Sequence, residues 1–271
     1  MILNIFEMFS LPFFQKALIV GISISICAAL LGVSMVLKKN SMIGDGLSHV
    51  GYGAAAIASA LNFAPLAFAM PIVVIASIFI LKLTEKSKIH GDAAIAIIAS
   101  SSLAIGYTVI HTAGTNIDIE SYLYGSINFI TTEELIISVS LCLIVILAFI
   151  LLYNKIFALT FDETFFKSTG SKSSIYSVII AILCSLTVVV GMKILGALLI
   201  SSLIIFPTIS ARQVFKTYKS VIIASVIISV LCCMVGVIMN FYIDFPAGST
   251  IVIVNLIVLL IFIAIGKILK R

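Results

Sequence analysis

The chain has 271 residues, of which 62% are hydrophobic and only 10% charged, and its net charge is +5. A soluble domain would carry roughly 25% charged residues, so the composition excludes an ordinary soluble fold and predicts an all-α polytopic membrane bundle, one domain over residues 1–271. The surplus positive charge reads as membrane topology and implies no nucleic-acid partner.

Apolar runs long enough to cross a bilayer core, about 20 residues as helix, recur along the whole chain. They predict spans at about 17–37, 45–61, 65–83, 92–112, 133–153, 175–191, 194–211, 220–241 and 249–267. If the short break at Gly191-Met192-Lys193 is a kink or a re-entrant turn, the count falls from nine to eight. The N-terminus lacks the small-residue cleavage pattern of a secretory signal. Ahead of Lys16, the residues Phe6, Phe9, Phe13 and Phe14 suit a segment lying at the membrane interface.

Alternating loops place 14 of the 16 basic residues on one side and only Lys16 and Lys193 on the other. Positively charged loops favour the cytoplasm, which predicts a cytoplasmic C-terminus and, with nine spans, an external N-terminus. The five cysteines, Cys27, Cys142, Cys184, Cys232 and Cys233, all fall in apolar spans without ligand spacing. They read as small buried hydrophobes.

The first chemistry-bearing element opens the second span, in Gly44-Asp45-Gly46-Leu47-Ser48-His49. An ionisable residue inside a membrane segment is costly and marks a functional site by default. Spaced i, i+4, Asp45 and His49 share one helix face, and a carboxylate with an imidazole suits a borderline divalent cation such as zinc or manganese. The alternative is a helix-start carboxylate with a packed histidine. Further along, His90 and Asp92 flank Gly91 at the start of the fourth span, where Asp92 suits a helix cap or, with His90, a metal pathway or receptor contact. His111, Asp118 and Glu120 fall near the outer face, as a solvated loop or as part of a metal pathway or receptor contact. Pro207 removes a backbone donor inside its helix and predicts a kink.

A second informative stretch runs from Tyr153 to Gly170 between two spans. Thr160 or Asp162 can cap a short helix, Asp162 and Glu163 suit its positive end, and Gly170 can stop it. Phe161, Phe165 and Phe166 recur near helical spacing, giving one apolar face. Such a helix lies on the bilayer or docks into a partner's groove.

Enzymatic readings find little support. No G-x-x-x-x-G-K-[ST] loop and no H-E-x-x-H occurs, so the chain carries neither a Walker nucleotide site nor that zinc-protease signature. The three histidines fall at different depths, and Ser48 beside His49 makes no triad. Asp45 and Asp92 are the sole candidates for an intramembrane aspartyl pair.

The run Leu37-Lys38-Lys39-Asn40-Ser41-Met42-Ile43-Gly44-Asp45-Gly46-Leu47-Ser48-His49-Val50 resembles the G-D-x-[LI]-S-H signature of permease subunits of the zinc, manganese and iron ABC importers. Five further pieces agree in order. These are Pro12 to Leu18, the Tyr122-Leu123-Tyr124-Gly125-Ser126 loop, Phe161-Asp162-Glu163, Gly196 to Arg212 with Pro207, and Phe245-Pro246-Ala247-Gly248.

The resemblance implies a type II-like importer fold and a homodimer with a second copy of itself in the plasma membrane of a bacterium. It also implies cytoplasmic ATP-binding subunits and an extracytoplasmic metal-binding protein. ATP would bind the partner subunit, no cofactor would be held permanently, and Zn2+ or Mn2+ would be the cargo, with the local wording nearer the zinc members. Asp45 and His49 would then be metal residues. The coupling helix of the family falls on the segment 155–174, with Asp162, Glu163 and Gly170. The competing expectation is a stand-alone channel or secondary transporter with no ATPase partner.

Overall fold

The computed structural model describes residues 10–86, 91–114, 125, 130–170, 172–243 and 246–268. Among them are nine long helices and one short one: α1 (Pro12–Leu37), α2 (Ile43–Ala60), α3 (Pro65–Lys86), α4 (Gly91–Ala113), α5 (Thr132–Phe161), α6 (Glu163–Ser168), α7 (Ser173–Leu195), α8 (Ala197–Val214), α9 (Tyr218–Ile243) and α10 (Ala247–Ile268). Eight of the nine long helices are long and apolar enough to cross a membrane. The exception is α2.

That exception organises the bundle. α2 is rich in glycine and alanine and carries Asp45 and His49, yet 13 of its residues are buried, from Ile43 to Ala58. It packs against α3, α4, α7 and α8, so protein rather than lipid surrounds it. A polar helix is tolerated at membrane depth on that condition. Small residues make the close approach possible. At Gly106 of α4, an added Cβ would lie 2.8 Å from the Cα of Gly53 on α2, and one at Gly51 would lie 2.8 Å from the Met192 Cε of α7. α4 and α10 are the least buried of the spans.

Several boundaries differ from the sequence expectation. Pro12 sits at the helix start and begins α1 five residues early, because proline is pre-set for the first helical turn. Phe13 and Phe14 therefore belong to that turn rather than to an interfacial segment. Phe14 is buried with its ring 5.7 Å from Phe241 of α9. Phe6 and Phe9 lie outside the described residues. The break expected at Gly191-Met192-Lys193 falls instead at Gly196, whose φ of 96° ends α7 and starts α8. Gly125, also with positive φ, packs against it: a Cβ there would meet the Gly196 nitrogen at 2.7 Å. α5 continues eight residues past its expected end at 153, to Phe161.

The two lysines that departed from the charge pattern both find partners at the start of α5. Lys193 Nζ lies 2.6 Å from Glu134 Oε1, and Lys16 Nζ donates to Thr132 Oγ1 at 3.1 Å. Thr131 and Glu134 close a reciprocal capping box, so one short region ties α1, α5 and α7 together. All five cysteines are buried and free.

Replacing Gly53 by leucine should force α2 and α4 apart. Overpacking of this kind costs about 1–3 kcal/mol. The expected outcome is a lower thermal midpoint in detergent and less folded protein by size-exclusion fluorescence, whereas an unchanged midpoint would contradict the close approach.

Candidate functional site

Asp45 is the third residue of α2, in its first turn. Met42 occupies the N-cap position without a side-chain capping bond. The Asp45 carboxylate reaches sideways instead. Oδ1 accepts a hydrogen bond from Ser201 Oγ of α8 at 3.2 Å, and Oδ2 lies 3.7 Å from His49 Nε2 one turn along. Ser48 Oγ donates back to the Asp45 carbonyl at 2.7 Å.

The 3.7 Å separation is that of a direct, long carboxylate–imidazole contact, and it is also compatible with a cation bridging the two side chains. A nitrogen and an oxygen each about 2.0–2.2 Å from a tetrahedral zinc stand about 3.4 Å apart, close to the separation found. The site is also accessible, the His49 side chain being 27% and that of Asp45 41% exposed. It is incomplete in a single chain: among the described residues no group of three or more His, Cys, Asp or Glu side chains could hold a metal.

Of the other expected residues, the two that are described, Asp92 and His111, do not join this pair into such a group. Asp92 is exposed in the first turn of α4. His111 is exposed in the last turn of the same helix, roughly 28 Å along its axis at 1.5 Å per residue. His90, Asp118 and Glu120 lie outside the described residues. α8 runs through Pro207, which is buried inside the helix, and the Pro207 carbonyl accepts from Ser225 Oγ at 3.5 Å. No local pattern singles out Ser201 in the sequence, although it lies within the Gly196 to Arg212 run. Its signal lies in the fold: the Gly196 break sets the register that aims α8 at the start of α2.

The second candidate region lies where α5 ends. Asp162 has an extended backbone, φ −148°, and its Oδ1 accepts from the Phe165 N–H at 2.8 Å, so it caps α6. Thr160 does not cap; it is buried in the last turn of α5 and bonds back to the Ile156 carbonyl. Gly170 follows α6 with φ 76°. The three phenylalanines do not share one face, because Asp162 interrupts the helix between them. Phe166 turns inward, 3% exposed and edge-on to Tyr176 at 5.5 Å, while Phe161 and Phe165 are 59% and 61% exposed.

Glu163 Oε1 lies 2.9 Å from Lys167 Nζ, and Oε2 lies 3.5 Å from Lys38 Nζ at the end of α1. Burial alone would raise the Glu163 carboxyl. The hydrogen bond from Lys167 and the nearby charges of both lysines outweigh it and hold the group below the ordinary glutamate range, so it is ionised at neutral pH.

A bundle of apolar helices around one polar helix, with a short helix after the longest span, is the build of a multi-pass membrane subunit. The model of the ABC 3 transport family matches residues 10–266, and the chain belongs to that family, as a permease subunit of the kind found in metal ABC importers and not as an enzyme. It is 31% identical over 238 residues to the high-affinity zinc uptake system membrane protein ZnuB of Haemophilus influenzae, covering 88% of this chain and 91% of that one. Over 249 residues it is 29% identical to the manganese import system permease protein ScaB of Streptococcus gordonii, covering 92% and 90%. The solved structure of PsaBC from Streptococcus pneumoniae in complex with Fab superposes with a TM-score of 0.84 at 26% identity, covering 95% of this chain and 93% of that one.

Changing Ser201 to alanine removes one hydrogen bond from the Asp45 carboxylate, a loss of about 1 kcal/mol. If Ser201 orients that carboxylate for a cation, the expected outcome is a weaker zinc affinity of the purified protein by titration calorimetry, with folding intact. Unchanged affinity would separate Ser201 from the site.

Proposed function

We propose that this chain is the membrane half of an ATP-driven divalent-metal importer, with zinc as first cargo and manganese as second. It would pass the metal from an extracytoplasmic binding protein to the cytoplasm of a bacterium, with its lysine-rich end and its C-terminus inside. The observation that carries the reading is the Asp45–His49 pair, spaced for a divalent ion on a polar helix that protein shields from lipid. Histidine favours zinc over harder ions, while the named relatives include both a zinc and a manganese system.

A pair of ligands is too few for a tight site, and a pathway needs ligation loose enough to release its ion. A second copy of the chain would supply the same pair again across a two-fold axis. The poorly buried α4 exposes Ser100, Ser101 and Thr108 among Ile97, Ile105 and Tyr107, a surface that a second copy would cover. At the lysine-rich end, Phe161, the last residue of α5, and Phe165 of α6 face outward, while Phe166 anchors α6. This is the arrangement a docking helix needs, and the partner is the ATP-binding subunit. A stand-alone channel or secondary transporter is the weaker reading for a member of an ABC family.

Replacing Asp45 and His49 together by alanine should abolish growth on limiting zinc under chelation, with normal amounts of protein in the membrane. Normal uptake by that variant would sink the site. In proteoliposomes containing the whole complex, zinc should outcompete manganese for uptake; the reverse order would reassign the cargo. Substituting Asp162, Glu163 and Gly170 together should release the ATP-binding subunit or leave its hydrolysis indifferent to metal-loaded binding protein. A complex that stays assembled and coupled would return α6 to a helix that merely lies on the bilayer.

A further inference from the structure

The Asp45–His49 pair and α6 are joined by a short path. Glu163, the first residue of α6, is, among the described residues, the carboxylate that meets Lys38, the residue that follows α1. Both side chains are partly buried, 19% exposed for Lys38 and 33% for Glu163. A polar cleft lies beside the pair, lined by Lys38, Lys39, Asn40, Thr160 and Glu163, with a volume of about 320 Å³.

From Lys38 to Asp45 the backbone has little slack. The Lys38 N–H donates to the Ser34 carbonyl at 3.1 Å, that of Lys39 to Val36 at 3.1 Å and that of Asn40 to Met35 at 2.9 Å. The Ile43 N–H then donates to Asn40 at 3.2 Å and that of Gly46 to Met42 at 3.0 Å. Lys39 takes a left-handed conformation, φ 60°, to close the turn. That conformation is uncommon for a non-glycine residue and persists only where the surroundings fix it. The chain therefore runs from Lys38 through a short hydrogen-bonded turn directly into the first turn of α2, where Asp45 stands.

We propose that Lys38 is the positioning residue through which α6 moves the Asp45–His49 pair. Glu163 pulls on Lys38, the hydrogen-bonded turn carries the displacement, and Asp45 shifts relative to Ser201 on α8, opening or closing the pair. This rests on the reading of α6 as the helix that docks on the ATP-binding subunit. Lys167 plays a different part: it holds the other oxygen of Glu163 from within α6 and so aims the carboxylate without leaving the helix.

The test uses the full permease–ATPase complex in proteoliposomes with its metal-loaded binding protein. It compares Lys38→Glu, Lys38→Met and Lys38→Arg, reading zinc uptake, ATP hydrolysis and retention of the ATP-binding subunit together. Lys38→Glu should keep the ATP-binding subunit and most of its hydrolysis while zinc moved per ATP falls at least tenfold. Lys38→Arg should stay within about threefold of the parent, and Lys38→Met, which removes the charge without adding a repulsion, should lose zinc moved per ATP as Lys38→Glu does. Full uptake by Lys38→Glu beside an active parent overturns this proposal and leaves the transport reading standing. Uptake, hydrolysis and subunit retention falling in proportion would also overturn it, since Lys38 would then serve only assembly. A parent complex that hydrolyses ATP and moves no metal would overturn the transport reading and this proposal with it.

Discussion

A helix that carries an aspartate and a histidine cannot face hydrocarbon, and the bundle is arranged around keeping α2 from doing so. α3, α4, α7 and α8 surround it, and its glycines let α4 come close enough for Gly53 and Gly106 to meet. Lipid provides no hydrophobic drive between helices, so close packing of small residues has to hold such an assembly. The same choice of residues lowers the hydropathy of α2 until it no longer qualifies as a span by itself. Polarity and burial in α2 are two sides of one constraint.

The two ends of the bundle use charge differently. At the start of α5, the Glu134–Lys193 pair and the Lys16–Thr132 bond tie three helices in place. Glu163 at the opposite end shares its carboxylate between a lysine of its own helix and Lys38 of another. The first arrangement fixes helices to each other; the second joins a small outer helix to the turn that leads into the polar one. A transport cycle driven from one side needs an element of the second kind, because small local shifts have to reach packed helices that move as units.

Much of the fold was legible because hydropathy sets the length and number of spans directly. The expected boundaries of α2, α4 and α10 fall within two residues of those found. The errors came from local chemistry that hydropathy does not weigh. Pro12 starts α1 early, and α5 runs on through Tyr153 to Phe161 because nothing before Asp162 interrupts it. The break after α7 follows the positive φ of Gly196, where Lys193 had suggested a loop. At the site, the i, i+4 spacing of Asp45 and His49 was enough to bring them together, whereas Ser201 comes from a residue 156 positions away and no local pattern reports it. The inward turn of Phe166 was hidden for a related reason: helical spacing assumes an unbroken helix, and Asp162 breaks it.

The account depends on a divalent ion sitting between Asp45 and His49. Crystals of the assembled permease grown with zinc and measured at the zinc absorption edge test that most directly. An anomalous peak within bonding distance of Asp45 Oδ2 and His49 Nε2 is the predicted result. Zinc bound elsewhere in the bundle, with this pair left empty, would contradict it.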